Sequence, residues 1–135
     1  MDLLRNARCF APAPLKTIEL VSAELEEPLS GDLQRLYLIT NGFESSGEFL
    51  DIVLWPIEDL LINNTAYHVN QYFPGLILIG SDTTGQALGY VVDNSGLQYI
   101  EVSFIGFEKR FSKQFSGTFF DFIRWLDECR RKASS

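Results

Sequence analysis

Cysteine is scarce in this chain: Cys9 and Cys129, near opposite ends, are its only two. They make no closely spaced pair for a metal and no disulfide framework, so a reducing cytosol is the default setting. A bridge tying the two ends together is the other option for them. Long apolar runs are also missing. None approaches the roughly 20 residues that a membrane-crossing helix needs. The opening Met-Asp-Leu-Leu-Arg-Asn-Ala-Arg lacks the apolar centre of a secretory signal. A soluble, cytoplasmic protein with no membrane partner is expected.

Basic residues are nearly absent from the middle. Residues 19–101 hold thirteen acidic side chains and one basic one, Arg35. That segment carries −12, against +2 before it and +3 after it, for a net −7. So acidic a middle repels nucleic acid and anionic lipid and attracts basic proteins. The alternative is a solvated surface with an acidic bias. Arg130, Arg131 and Lys132 read as favourable charges at a helix C-terminus rather than as a nucleic-acid patch.

The ingredients of catalysis are thin. Gly80 and Gly85 have the spacing of a phosphate-binding loop, but Gln86 and Ala87 stand where a lysine and a Ser or Thr belong. A hairpin loop is the better reading. His68 is the only histidine, placed on a helix beside Tyr67 and Tyr72 and read as a hydrogen-bonded structural residue. Metal sites usually need several His, Cys or clustered carboxylates. Asp82 and Asp93 lack the alternating oxygen ligands and central glycine of a calcium loop. Glu26-Glu27 and Glu58-Asp59 are adjacent in sequence, so their carboxylates diverge. No catalytic residue, metal or cofactor is expected. A small enzyme would need two carboxylates with raised pKa values facing each other in a cleft.

What is present is a core. The 135 residues, 46% apolar and 13% aromatic, suit one domain over 1–135. It centres on residues 74–96, where the apolar runs 76–79 and 88–92 are joined by a glycine-punctuated loop. Leu76 and Leu78 would face one side and Ile77 and Ile79 the other, and likewise Tyr90 and Val92 against Val91. Strands apolar on both faces belong inside a covered sheet. Residues 97–105 supply a third strand of this meander, and the alternating 48–55, including Phe49, supplies another.

Residues 17–25 read as a helix capped by Thr17 or as a strand, since Ile18, Leu20 and Ala23 fit neither period cleanly, with helix preferred. Helices are expected over 29–40 with Ser30 as N-cap and Asn41-Gly42 as stop, and from Pro56 to a break at Asn63-Asn64. A turn or two over 65–73 follows. The last helix is capped by Thr118 and faces inward with Phe119, Phe122, Ile123 and Leu126. Residues 1–16 read as an extended lead-in, 111–117 as loop and 130–135 as a tail. The fold class is α+β, an antiparallel sheet of about four to six strands with helices packed against it. Phe104, Phe107, Phe111, Phe115, Phe119, Phe120 and Phe122, interleaved with Lys109, Arg110 and Lys113, invite a stacking platform for single-stranded nucleic acid. Their helical spacing and the overall charge favour core instead.

The order of these features resembles the SUKH superfamily, shared by fungal cell-wall-assembly regulators and many bacterial toxin-immunity proteins. Residues 29–33 through Asn41-Gly42 are similar to its opening helix, and 55–60 (Trp-Pro-Ile-Glu-Asp-Leu) to its strand-to-helix segment. Residues 78–93 are similar to its central hairpin with a Gly-Asp-x-x-Gly loop, and 118–123 to its closing helix. Ser30 departs from the proline of many members, and the short insert after Gly42 lacks their frequent extra glycines. The resemblance covers about residues 25–128. It implies a non-enzymatic module that binds a protein, most often an immunity protein occluding a toxin. A basic toxin, such as a nuclease, would meet the acidic middle. The alternative is a regulatory scaffold binding a housekeeping partner. From charge and expected exposure, the candidate contacts are Asp51, Glu58, Asp59, Asp82, Thr83, Thr84, Asp93 and Glu101.

Overall fold

The computed structural model describes residues 3–47, 50–108 and 112–134. Its strands are β1 (Ala7–Cys9), β2 (Phe43–Ser46), β3 (Asp51–Leu54), β4 (Ile77–Asp82), β5 (Gln86–Asp93), β6 (Gly96–Ser103) and β7 (Lys113–Phe115). Its helices are α1 (Leu15–Glu24), α2 (Gly31–Ile39), α3 (Leu60–Ala66), α4 (Val69–Tyr72) and α5 (Phe119–Ser134), with 3₁₀ turns at Leu3–Asn6 and Ile57–Asp59. The seven strands form one antiparallel sheet in chain order, each paired with its sequence neighbours. The class is α+β, with one strand more than the upper expectation. No described helix is long and apolar enough to cross a membrane.

The central hairpin is covered on both faces. Ile77, Ile79, Leu88, Tyr90 and Tyr99 join the larger core with α1, α2, α5 and the second 3₁₀ turn. Leu76, Leu78, Ala87, Val91, Ile100 and Val102 pack on the other face against Val69, Phe73 and Phe107. Val92 departs from the pattern and is exposed near the turn. Phe107, Phe119 and Phe122 are buried, so these rings are core.

A bulge sets the geometry of everything downstream in β4. Leu78 pairs with Gly89 and Gly80 with Leu88, so Ile79 is an extra residue. Side chains alternate along a strand, so one added residue moves every later side chain to the opposite face. Asp82 thereby lies opposite Ile52, on the face that α5 covers. The close approach requires glycine. A Cβ at Gly80 would overlap the Val53 carbonyl oxygen, and one at Gly89 the Ile77 oxygen.

Polar side chains complete the joints. The Asp32 carboxylate of α2 accepts from the Tyr99 hydroxyl (2.7 Å) and from the Phe119 N–H (2.7 Å), so α2 caps α5 across the core. Ser30 caps α2 through the Leu33 N–H, and Thr118 accepts from the Asp121 N–H, as expected from their positions. Asn64 does not break its helix. It sits within α3, where its amide donates to the Leu78 carbonyl (2.9 Å) and accepts from the Leu78 N–H (2.8 Å). Beyond the end of β3 it supplies β4 with the hydrogen bonds of a missing strand.

Three expectations need correction at the ends of elements. The lead-in 1–16 contains a 3₁₀ turn, β1 and the first residues of α1. Within the presumed loop 111–117, Lys113–Phe115 pairs with Tyr99–Glu101, while position 111 lies outside the described residues. The tail begins later, because α5 runs on to Ser134. The strand expected over 48–55 is β3, with positions 48 and 49 outside the described residues. Gly80→Ala is expected to cost about 2 kcal/mol of unfolding free energy, in the range of overpacked cores. Gly85→Ala, at φ +96° with open space around it, should cost nearer 1 kcal/mol, from the left-handed backbone alone. Urea titrations of the two variants give the comparison.

Candidate functional site

The α5 stripe of Phe119, Phe122, Ile123 and Leu126 continues one turn later with Arg130, which therefore points at the sheet. Its guanidinium Nη2 donates to Asp82 Oδ2 and to Glu101 Oε2, both at 2.6 Å. Asp82 also accepts from the Thr84 N–H (2.8 Å), the Gln86 N–H (2.9 Å) and the Thr84 hydroxyl (2.7 Å), which folds the β4–β5 loop around it. The carboxylate side chains are 1% and 6% exposed, and Lys113 Nζ lies 4.0 Å from Glu101. Burial pushes the Glu101 carboxyl above its ordinary range, against the pull of Arg130 and Lys113. A cavity of about 160 Å³ opens beside this cluster, lined by Leu50, Asp51, Asp82, Thr83, Thr84 and Arg130 among others.

Four of the candidate residues thus meet at one end of the sheet: Asp51, Asp82, Thr83 and Thr84. Glu101 stands behind Arg130 and is not on the cavity wall. Asp82 and Glu101 were expected to be surface acids. They are instead buried and neutralised, because the bulge turns Asp82 inward and α5 brings a cation to meet both. Asp93 lies at the far end of the hairpin and closes its turn through the Ser95 N–H (2.7 Å). Glu58 and Asp59 sit on the second 3₁₀ turn, where both Glu58 oxygens accept from the Asn41 amide at 2.9 Å.

A second concavity lies on the helical side. It holds about 340 Å³ between the end of α1 and the α3–α4 segment. Glu24 and Glu26 line one side, and Asn64, Thr65 and His68 the other. Leu25, Val69, Leu76 and Ile77, all buried, form its base. The α1 helix packs on the 3₁₀ turn bearing Glu58 and Asp59 and on α3. Glu19, Glu24, Glu26, Glu58 and Asp59 make no ion pair among the described residues. Lys16 is the only Lys or Arg on these elements. Elsewhere Arg8 pairs with Glu44, Arg124 with Asp121 and Arg131 with Glu128, while Arg35 on α2 makes no ion pair among the described residues. His68 is not a mid-helix residue. It is exposed, with φ 53°, at the break between α3 and α4.

No family model matches the chain, and no curated protein matches it. Among the described residues no group of three His, Cys, Asp or Glu is placed to hold a metal, and Cys9 and Cys129 are both free thiols.

Sequence reading missed Arg130 and the groove acids Glu24 and Glu26. Arg130 carried a signal, since it falls on the inward stripe of its helix, four residues after Leu126. The groove carried none, because its sides come from segments some forty residues apart. Arg130→Met leaves buried Asp82 without a cation and Glu101 with only Lys113 at 4.0 Å, and is expected to cost about 3–5 kcal/mol at neutral pH. Arg131→Met, which breaks only an exposed pair, should cost under about 1 kcal/mol. Raising a folded-state carboxyl pKa adds stability that is present at low pH and lost as pH rises. Removing Arg130 raises the Glu101 carboxyl further, so the deficit of Arg130→Met should shrink as the pH falls from 7 towards 5. Urea unfolding at both pH values measures this.

Proposed function

We propose that this protein is a non-enzymatic, cytoplasmic binding module: an immunity protein that binds and neutralises a basic toxin domain. The observation that carries the reading is the segregation of charge. Asp82 and Glu101 are buried and matched by Arg130. By contrast, Glu19 and Glu24 on α1, Glu26 just after it, and Glu58 and Asp59 on the adjoining 3₁₀ turn are gathered without an ion pair among the described residues. Asp51, Asp93 and Asp127, on β3, β5 and α5, are unpaired singly among those residues. Unmatched acids on one side of a molecule raise the association rate of a positively charged partner. The biological setting comes from the resemblance to the SUKH superfamily, whose immunity members occlude toxins. The chemistry asked of the chain is occlusion: it presents a charged, concave surface and no bond is made or broken.

Among the candidate contacts, Glu58, Asp59 and Asp51 remain suited to this role, while Asp82 and Glu101 support the hairpin from within. The acidic side would repel nucleic acid, so the partner is a protein. Co-expression with the product of the gene beside it tests the reading. Protection of the host and a complex at low salt that weakens as salt rises are expected. The quadruple change E24K, E26K, E58K and D59K should slow association by about tenfold or more while the fold is retained. No protection and no complex at low salt would refute the assignment.

A further inference from the structure

Tyr67 and His68 are consecutive, but of the two only His68 lines the acidic groove with Glu24 and Glu26. Tyr67 lies against Trp55 (ring centroids 6.4 Å apart, planes within 11°) and Phe104 (4.9 Å). Both of these rings pack on the same core face as Val69 and Leu76 at the base of the groove. Tyr72, from α4, stacks on Phe107 at 6.5 Å. Tyr67 and Tyr72 are 42% and 56% exposed. His68 and Phe107 are the two non-glycine residues with positive φ among those described, at 53° and 47°. Left-handed backbone is costly for side chains of this size, and such strain gathers where a surface has work to do. Both strained residues hold this one ring cluster in place: His68 turns the chain between α3 and α4, and Phe107 lies beneath Tyr72.

We infer that the α3–α4 joint is an arginine-selective docking surface for a segment of a basic protein. Guanidinium groups of that segment lie on the exposed rings of Tyr67 and Tyr72, while neighbouring positive charges meet Glu24 and Glu26 across the joint. This deepens the proposed function and rests on its premise of a basic partner. The acids alone attract any cation. The rings discriminate, because a guanidinium is planar and weakly hydrated and stacks on an aromatic face better than a compact, strongly hydrated ammonium. Nucleic-acid bases also stack on rings, but their phosphates would meet the −12 of residues 19–101.

The full chain is titrated with nona-arginine, nona-lysine and an oligo-dT single strand at one ionic strength. Nona-arginine should bind about fivefold or more tightly than nona-lysine, the gain of a ring-stacked cation. The double variant Y67L and Y72L should erase that preference and leave nona-lysine affinity unchanged. The pair Y67F and Y72F keeps the rings and should keep the preference, which separates loss of recognition from loss of fold. E24Q with E26Q should weaken both peptides alike. Equal affinities in the native chain, a preference that survives Y67L and Y72L, or tighter binding of oligo-dT would each overturn the inference. If the neighbouring gene product fails to bind while the arginine preference holds, the immunity reading falls and the docking surface stands.

Discussion

Two carboxylates buried under one helix call for a cation between them, and Arg130 is that cation. The bulge that turns Asp82 inward, the glycine that permits the bulge and the length of α5 all serve this contact. Were α5 to stop at Cys129, Asp82 would lose its cation and Glu101 would keep only Lys113. A lone buried charge costs several kcal/mol, so the last turns of α5 are part of the fold and not an appendage. Lys113, on β7, adds a second positive charge beside Glu101 and ties the final strand to the same point.

That arrangement sets two groups apart within the acidic middle of the chain. One part is consumed in holding the hairpin, its loop and the end of α5 together. A second group, on α1, the 3₁₀ turn and the loop after α1, keeps its charge at the surface without an ion pair among the described residues, and Asp32, Glu44, Asp51 and Asp93 belong to neither group. Net charge in the sequence cannot separate these roles, because Asp82 and Glu58 are the same kind of residue to a count. Burial separates them. The proposed binding side rests on the acids that the fold gathers without a cation.

The sheet was legible where apolar residues repeat on both faces. Residues 76–79 and 88–92 could only be interior strands, and the structure covers them on both sides. β1 and β7 were not legible, since three residues show no alternation, and Arg8 or Lys113 offers nothing to bury. The bulge was hidden too: Leu-Ile-Leu-Ile-Gly gives no sign of which residue is extra, and Gly80 looked like the first residue of the loop. Asn63-Asn64 resembled a stop because asparagine favours turns. The Asn64 amide instead finds backbone partners on β4, a tertiary contact that local propensity does not contain. Of the candidate site, the cluster at the loop end was within reach because its residues flank one hairpin. The groove was not, because it exists only after α1 packs against α3.

The short outer strands have a consequence for how a partner can attach. Both borders of the sheet, β1 and β7, are three residues long, and each carries a cation, Arg8 or Lys113. A peptide joining the sheet as an eighth strand would find too few free backbone groups to align, and charged side chains at the seam. Strand addition is therefore disfavoured, whether by a ligand or by another copy of the chain. The recognition proposed above would then fall to side chains displayed by helices and turns, where shape and charge can be changed one residue at a time without disturbing the ladder beneath.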